Sequence, residues 1–172
     1  MSQETPTTPT ATIERQQEEL IDSTITQNVV FAAMLGGFLG TILMMPVLVG
    51  IPELLGLFVT GPITDFAGFA LFFGLESTLT LGIVVFGIGG VVVLPLTFIV
   101  VGAFLPPGEP KYLRGVTFAT LFWVGFAPAF WPPAGALVVA SYLVFSLLGH
   151  WVYGLTLGYV LDRVAGIPQH EV

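Results

Sequence analysis

Hydrophobic residues along this chain come in long blocks without alternation, and the polar positions collect between the blocks. Residues 29–51 contain no charge, and such a run is long enough to cross about 30 Å of hydrocarbon as a helix. A second block, 66–105, carries Glu76 as its one charge and would extend roughly 60 Å as a straight helix at about 1.5 Å per residue. It must therefore break. A break at Glu76-Ser77-Thr78 leaves one span over 79–105, whereas a break at Gly87, Gly89 and Gly90 would give five spans in the chain. Two further apolar runs, 113–131 and 134–161, complete the pattern.

The fold expected from this pattern is all-α: an integral membrane four-helix bundle behind a disordered acidic N-terminal tail. The tail is residues 1–28, in which Thr- and Pro-rich text precedes a short surface helix. The transmembrane domain is 29–163, with spans at about 29–51, 79–105, 113–131 and 134–161, and 164–172 form a C-terminal tail. Pro52 and Glu53 should close the first span. Phe66 to Leu75 should form an outer interfacial helix before the second span, with Phe66, Phe69, Phe72 and Phe73 on one apolar face.

Composition agrees with a membrane location. Of the 172 residues 55% are hydrophobic and 9% charged, against about 25% charged in soluble domains. Eleven acidic residues face four basic ones, a net charge of -7, so a nucleic-acid partner is excluded for want of a basic patch. Excess carboxylate also suits a salt-rich cytoplasm, and a halophilic archaeal source is expected. In the four-span arrangement Arg15, Lys111, Arg114 and Arg163 share one side, which predicts a multi-pass protein of the cell membrane with both termini cytoplasmic. Cysteine is absent, so disulfides, thiolate metal sites and cysteine nucleophiles are excluded.

Candidate chemistry centres on His150, an ionisable group near the middle of the last span. Such groups in hydrocarbon are costly and usually have a role. Three roles compete: a packed histidine bonded to a neighbouring helix, a residue that relays protons inside a larger complex, and an axial haem ligand. Haem ligation lacks a second intramembrane histidine, since His170 is in the tail. Met34, Met44 and Met45 are the other soft ligands, although methionine in an apolar helix usually packs. Tyr153 lies one turn from His150, and Glu76 opens the second span; His150, Tyr153 and Glu76 are thus the candidates for a proton or polar relay. A direct pair between Glu76 and His150 is not expected, because Glu76 sits roughly 20 Å from mid-membrane by helix rise.

Small residues mark a packing face. Ser146, Gly149, Gly154 and Gly158 recur on the last span, the final two spaced as GxxxG, and Gly36 and Gly40 offer matching surfaces on the first. Phe118, Phe122, Phe126 and Phe130 form a stripe at i, i+4 spacing, expected to meet lipid or neighbouring helices. Pro128 should bend that helix near Val124. No phosphate-binding loop, zinc-protease motif or serine hydrolase elbow occurs, and no metal site is expected.

The Thr/Pro-rich tail, the glycine-rich spans, FATLFWVGFAP in the third and SLLGHWVYGLTLGYVLD in the fourth resemble small haloarchaeal membrane proteins of unknown function, some named as cytochrome c oxidase subunits. The resemblance implies an accessory or assembly subunit of a respiratory terminal oxidase, without a cofactor of its own but with haem contact in the complex. The expected partners are the lipid bilayer and larger membrane subunits, or further copies of the chain. A small oligomeric channel or transporter is the alternative, followed by a structural membrane protein without a substrate; an enzyme acting alone is not expected.

Overall fold

A computed structural model describes residues 25–169. The expected polar tail and its surface helix lie almost wholly outside the described residues, as does His170. Five helices make up the described chain, with no strand among them: α1 Gln27–Leu54, α2 Gly61–Phe73, α3 Leu79–Phe104, α4 Arg114–Ala129 and α5 Ala136–Val164. Three of these, α1, α3 and α5, are long and apolar enough to cross a membrane.

Capping explains where the long helices begin. The hydroxyl of Thr26 accepts from the Val29 amide at 3.4 Å, and that of Thr78 accepts from the Leu81 amide at 3.2 Å; each satisfies an orphan donor of a first helical turn. The break in the long apolar block falls between Gly74, whose φ of 73° ends α2, and Thr78. The glycine cluster is no break. There α3 widens into a π segment at Gly89–Val93 and continues.

Pro52 does not close α1 either. A π segment at Pro46–Gly50 precedes it, and the helix runs on to Leu54. Both π segments have a proline two residues past their end, Pro52 in α1 and Pro95 in α3. Proline clashes with the carbonyl four residues back and gives it no hydrogen. Widening the turn before it lets the helix continue.

Close approaches set the helix order. A Cβ on Gly36 would meet the Leu157 carbonyl oxygen at 3.1 Å and one on Gly40 that of Tyr153 at 3.0 Å, so α1 and α5 run antiparallel. Gly37 faces Pro95 while Thr41 faces Gly90, which makes α1 and α3 antiparallel too. Gly115 of α4 lies against Gly154 and Gly158 of α5, and further along Trp123 bonds Ser146. The long helices therefore alternate in direction, and the start of α1 and the end of α5 lie at the same end of the bundle. At that end Val29, Leu161 and Ile167 are buried in the core.

Short α2 lies across the opposite end. A Cβ on Gly82 of α3 would strike the Ile63 carbonyl, and the Ser77 hydroxyl donates to the Thr64 carbonyl at 3.1 Å. Its phenylalanines do not all share one face: Phe66, Phe69 and Phe73 border one cavity and Phe72 does not. Pro62, Ala67 and Ala70 turn toward the protein, because small side chains allow close approach, whereas Phe72 and Phe73 are 89% and 83% exposed. Phe66 points inward and stacks on Phe130 with ring centroids 4.0 Å apart.

Candidate functional site

His150 is the middle residue of α5, with 14 helical residues on either side. Its Nδ1 lies 2.7 Å from the carbonyl oxygen of Ser146, one turn back on the same helix. That bond stays on its own helix, whereas the first of the three competing roles required one to a neighbouring helix. A carbonyl only accepts, so Nδ1 donates, and in the neutral imidazole Nε2 then keeps its lone pair. Among the described residues Nε2 has no hydrogen-bonding partner.

Two cavities meet at this imidazole. The smaller encloses about 70 Å³ beside Leu48, Trp123, Ser141 and Tyr142. Trp123 donates to the Ser146 hydroxyl at 2.9 Å and Tyr142 to the Ala127 carbonyl at 3.2 Å, so the polar edges here join α4 to α5. The larger cavity encloses about 550 Å³. It lies between α3 and α4. Phe98 meets Phe118 with centroids 5.2 Å apart, and at the other end Phe66 of α2 is wedged between Phe86 and Phe130. Between these contacts the helices stand apart, and Phe122, Phe126, Gly89, Gly90, Met44, His150 and Tyr153 line the gap.

Tyr153, 2% exposed, reaches across the bundle. Its hydroxyl donates to the Gly90 carbonyl of α3 at 2.7 Å. In the π segment the Leu94 amide bonds Gly89, so the donor due to Gly90 would come from residue 95, which is proline. The tyrosine supplies the missing hydrogen, as a buried carbonyl in a lipid-immersed helix requires.

The structure thus brings His150 and Tyr153 to one cavity but leaves Glu76 in the exposed connection before α3. Of the methionines weighed as ligands, Met44 lines the cavity with His150, and Met45 packs against the core. No group of three or more His, Asp or Glu residues that could hold a metal occurs among the described residues. The phenylalanine stripe of α4 turns inward: Phe118 and Phe130 are buried, and the four rings form a ladder with successive centroids 4.7, 5.8 and 5.8 Å apart. Leu121 and Val124 face outward instead.

The packing glycines divide by contact. Gly154 and Gly158 oppose the Gly115 and Tyr112 carbonyls of the α4 segment, while Gly149 makes only ordinary contact with Leu48 at 3.4 Å. Gly36 and Gly40 oppose α5 as described above.

Sequence reasoning did not pick out Arg114 as a structural group. It is 7% exposed and donates to the carbonyls of Ala103, Pro107 and Gly108 and to the side chain of Gln169, at 3.0 to 3.3 Å. One guanidinium thereby pins the connection between α3 and α4 to the segment that follows α5. Nor did it pick out Thr41 and Pro95, and Gly90 entered only as part of a candidate break. The proline was the available signal, since each proline inside a membrane helix leaves a carbonyl in need of a donor.

Comparison with curated proteins and with solved structures finds no match to this chain. Residues 27–172 match the family described as "Family of unknown function (DUF6789)"; the match covers every described helix, and the chain belongs to that family.

Proposed function

We propose that this chain is an accessory or assembly subunit of a larger membrane complex, most specifically of a respiratory terminal oxidase in a halophilic archaeon. One observation carries the accessory role: four polar side chains are engaged in tying one helix to another. Trp123 bonds Ser146, Trp151 bonds Thr120, Tyr142 bonds Ala127 and Tyr153 bonds Gly90. What the chain offers outward is apolar, including Leu54, Phe72, Phe73 and Leu137 at 69% exposure or more, a surface suited to lipid and to other membrane subunits. The oxidase assignment rests on the resemblance of the third and fourth apolar segments.

In this reading the chain crosses the membrane four times. The shortest crossing, α4, is roughly 24 Å long, and the tight turn Lys111–Leu113 before it adds about 6 Å, near the thickness of the hydrocarbon. Lys111, Arg114 and Arg163 gather at the end where α1 begins and α5 finishes, and Glu53, Asp65 and Glu76 lie at the other with no basic residue among them. That asymmetry supports cytoplasmic termini. A channel lined by Glu76, His150 and Tyr153 has less support, because Glu76 is apart from the other two and the Tyr153 proton is held by Gly90.

Gentle purification in high salt, with a visible spectrum and mass analysis of co-purifying chains, tests the role. Haem absorption with oxidase subunits is the expected result; a colourless preparation of this chain alone would count against it.

A further inference from the structure

The larger cavity has one kind of polar group on its walls. Thr41 donates its hydroxyl proton to the Gly37 carbonyl at 2.8 Å, Tyr153 donates to Gly90 and His150 donates through Nδ1 to Ser146. All three line the cavity, and each therefore turns only lone pairs toward it. A site made of acceptors alone selects a donor, because an acceptor facing it would leave buried lone pairs opposed and unpaired. No carboxylate lines the space, so a cation would be buried without a counter-charge, and a neutral hydroxyl is the donor that fits. Its remaining wall is apolar and rich in phenylalanine, which favours a flat aromatic ring.

The rim tells how such a molecule enters. Phe73, Val84, Ile88 and Val93 border the cavity and are about half exposed or more, on the lateral surface of α2 and α3. The opening faces the lipid phase, where a long apolar tail can remain. A space of about 550 Å³ falls within the range of small-molecule sites, roughly 300 to 1,000 Å³.

We propose that this cavity binds a lipophilic aromatic alcohol of the quinol class, its ring packed against the wall formed by Phe66, Phe122 and Phe126 and one hydroxyl donating to His150 Nε2. The reduced form is preferred over the quinone, because a quinone offers only carbonyl acceptors to an acceptor-only wall. The site belongs to this chain alone and is independent of any partner complex.

The test uses the full chain in detergent micelles, with saturable binding measured against empty micelles under anaerobic reducing conditions where needed. Three probes are compared: a decyl naphthohydroquinone, the corresponding quinone and the dimethyl ether of the hydroquinone. The hydroquinone should bind about tenfold or more tightly than either of the others, the equivalent of one unpaired buried hydrogen bond. His150→Phe should abolish that preference, and Val84→Trp, a rim substitution away from the core, should weaken all three probes by filling the entrance. Equal affinity for the three probes on the unaltered chain, or no saturable binding at all, would overturn the proposal without reference to any variant. So would a preference for the hydroquinone that survives in a folded His150→Phe protein.

Discussion

Pro95 removes the amide hydrogen that the π register would direct at the Gly90 carbonyl, and the Tyr153 hydroxyl provides one from another helix at 2.7 Å. Hydrogen bonds between membrane helices average about 0.6 kcal/mol and reach about 1.7. This one should lie near the upper figure, because the carbonyl has no backbone alternative. Tyr153→Phe should therefore cost about 1.5 kcal/mol in reversible unfolding in mixed micelles. Pro95→Ala returns a backbone donor, so in the double variant the tyrosine's loss should cost much less. Strictly additive effects of the two substitutions would show that the tyrosine does not serve the orphan carbonyl. Arg114 poses the same question at the end of the bundle where α4 begins. Its donors reach three carbonyls and Gln169, and Arg114→Lys keeps the charge but cannot span that set. The lysine variant should loosen the 105–110 connection, seen as faster limited proteolysis there; an unchanged cleavage pattern would argue against the pin.

Among the helices, α4 and α5 meet backbone to backbone, which permits a sharper test than bulky substitution. A methyl at Gly154 or Gly158 would press on the carbonyl of Gly115 or Tyr112, and backbone cannot give way cheaply. Gly154→Ala and Gly158→Ala should each cost about 1–3 kcal/mol. Gly149→Ala should be tolerated, and Gly125→Ala, whose Cβ meets nothing within 4 Å, should gain roughly 0.5–1 kcal/mol from helix propensity. Equal responses at Gly154 and Gly125 would contradict the packing. The helical character of the chain and its three long apolar helices were legible in the sequence, since charge-free runs of this length have few other readings. Which face of α4 turned inward was not. In a lipid-facing helix both sides are apolar, so the phenylalanine stripe and the Leu121 and Val124 side look alike until a partner is placed. The π segments were hidden for a related reason: proline in a membrane helix signals a break or a detour equally. His150 was visible as an oddity, but its bond to Ser146 and the acceptor wall shared with Thr41 and Tyr153 depend on side chains up to 112 positions apart, which no local pattern records.

At the scale of the molecule, alternating helices bring the start of α1, the connection before α4 and the end of α5 to one end, with the basic residues Lys111, Arg114 and Arg163. Of the four proposed crossings α4 is the shortest, at 16 residues, and everything else in the arrangement depends on it. If it failed to cross, the accessory role, the sidedness and the lateral opening of the cavity would all have to be redrawn. The chain has no cysteine, so single cysteines can report each end of α4 without background. Glu109 and Ala134 flank the helix and are exposed. With a membrane-impermeant maleimide applied to intact cells, Ala134→Cys should be labelled at once and Glu109→Cys only after permeabilisation. Labelling of both positions from the same side would contradict the four-crossing arrangement.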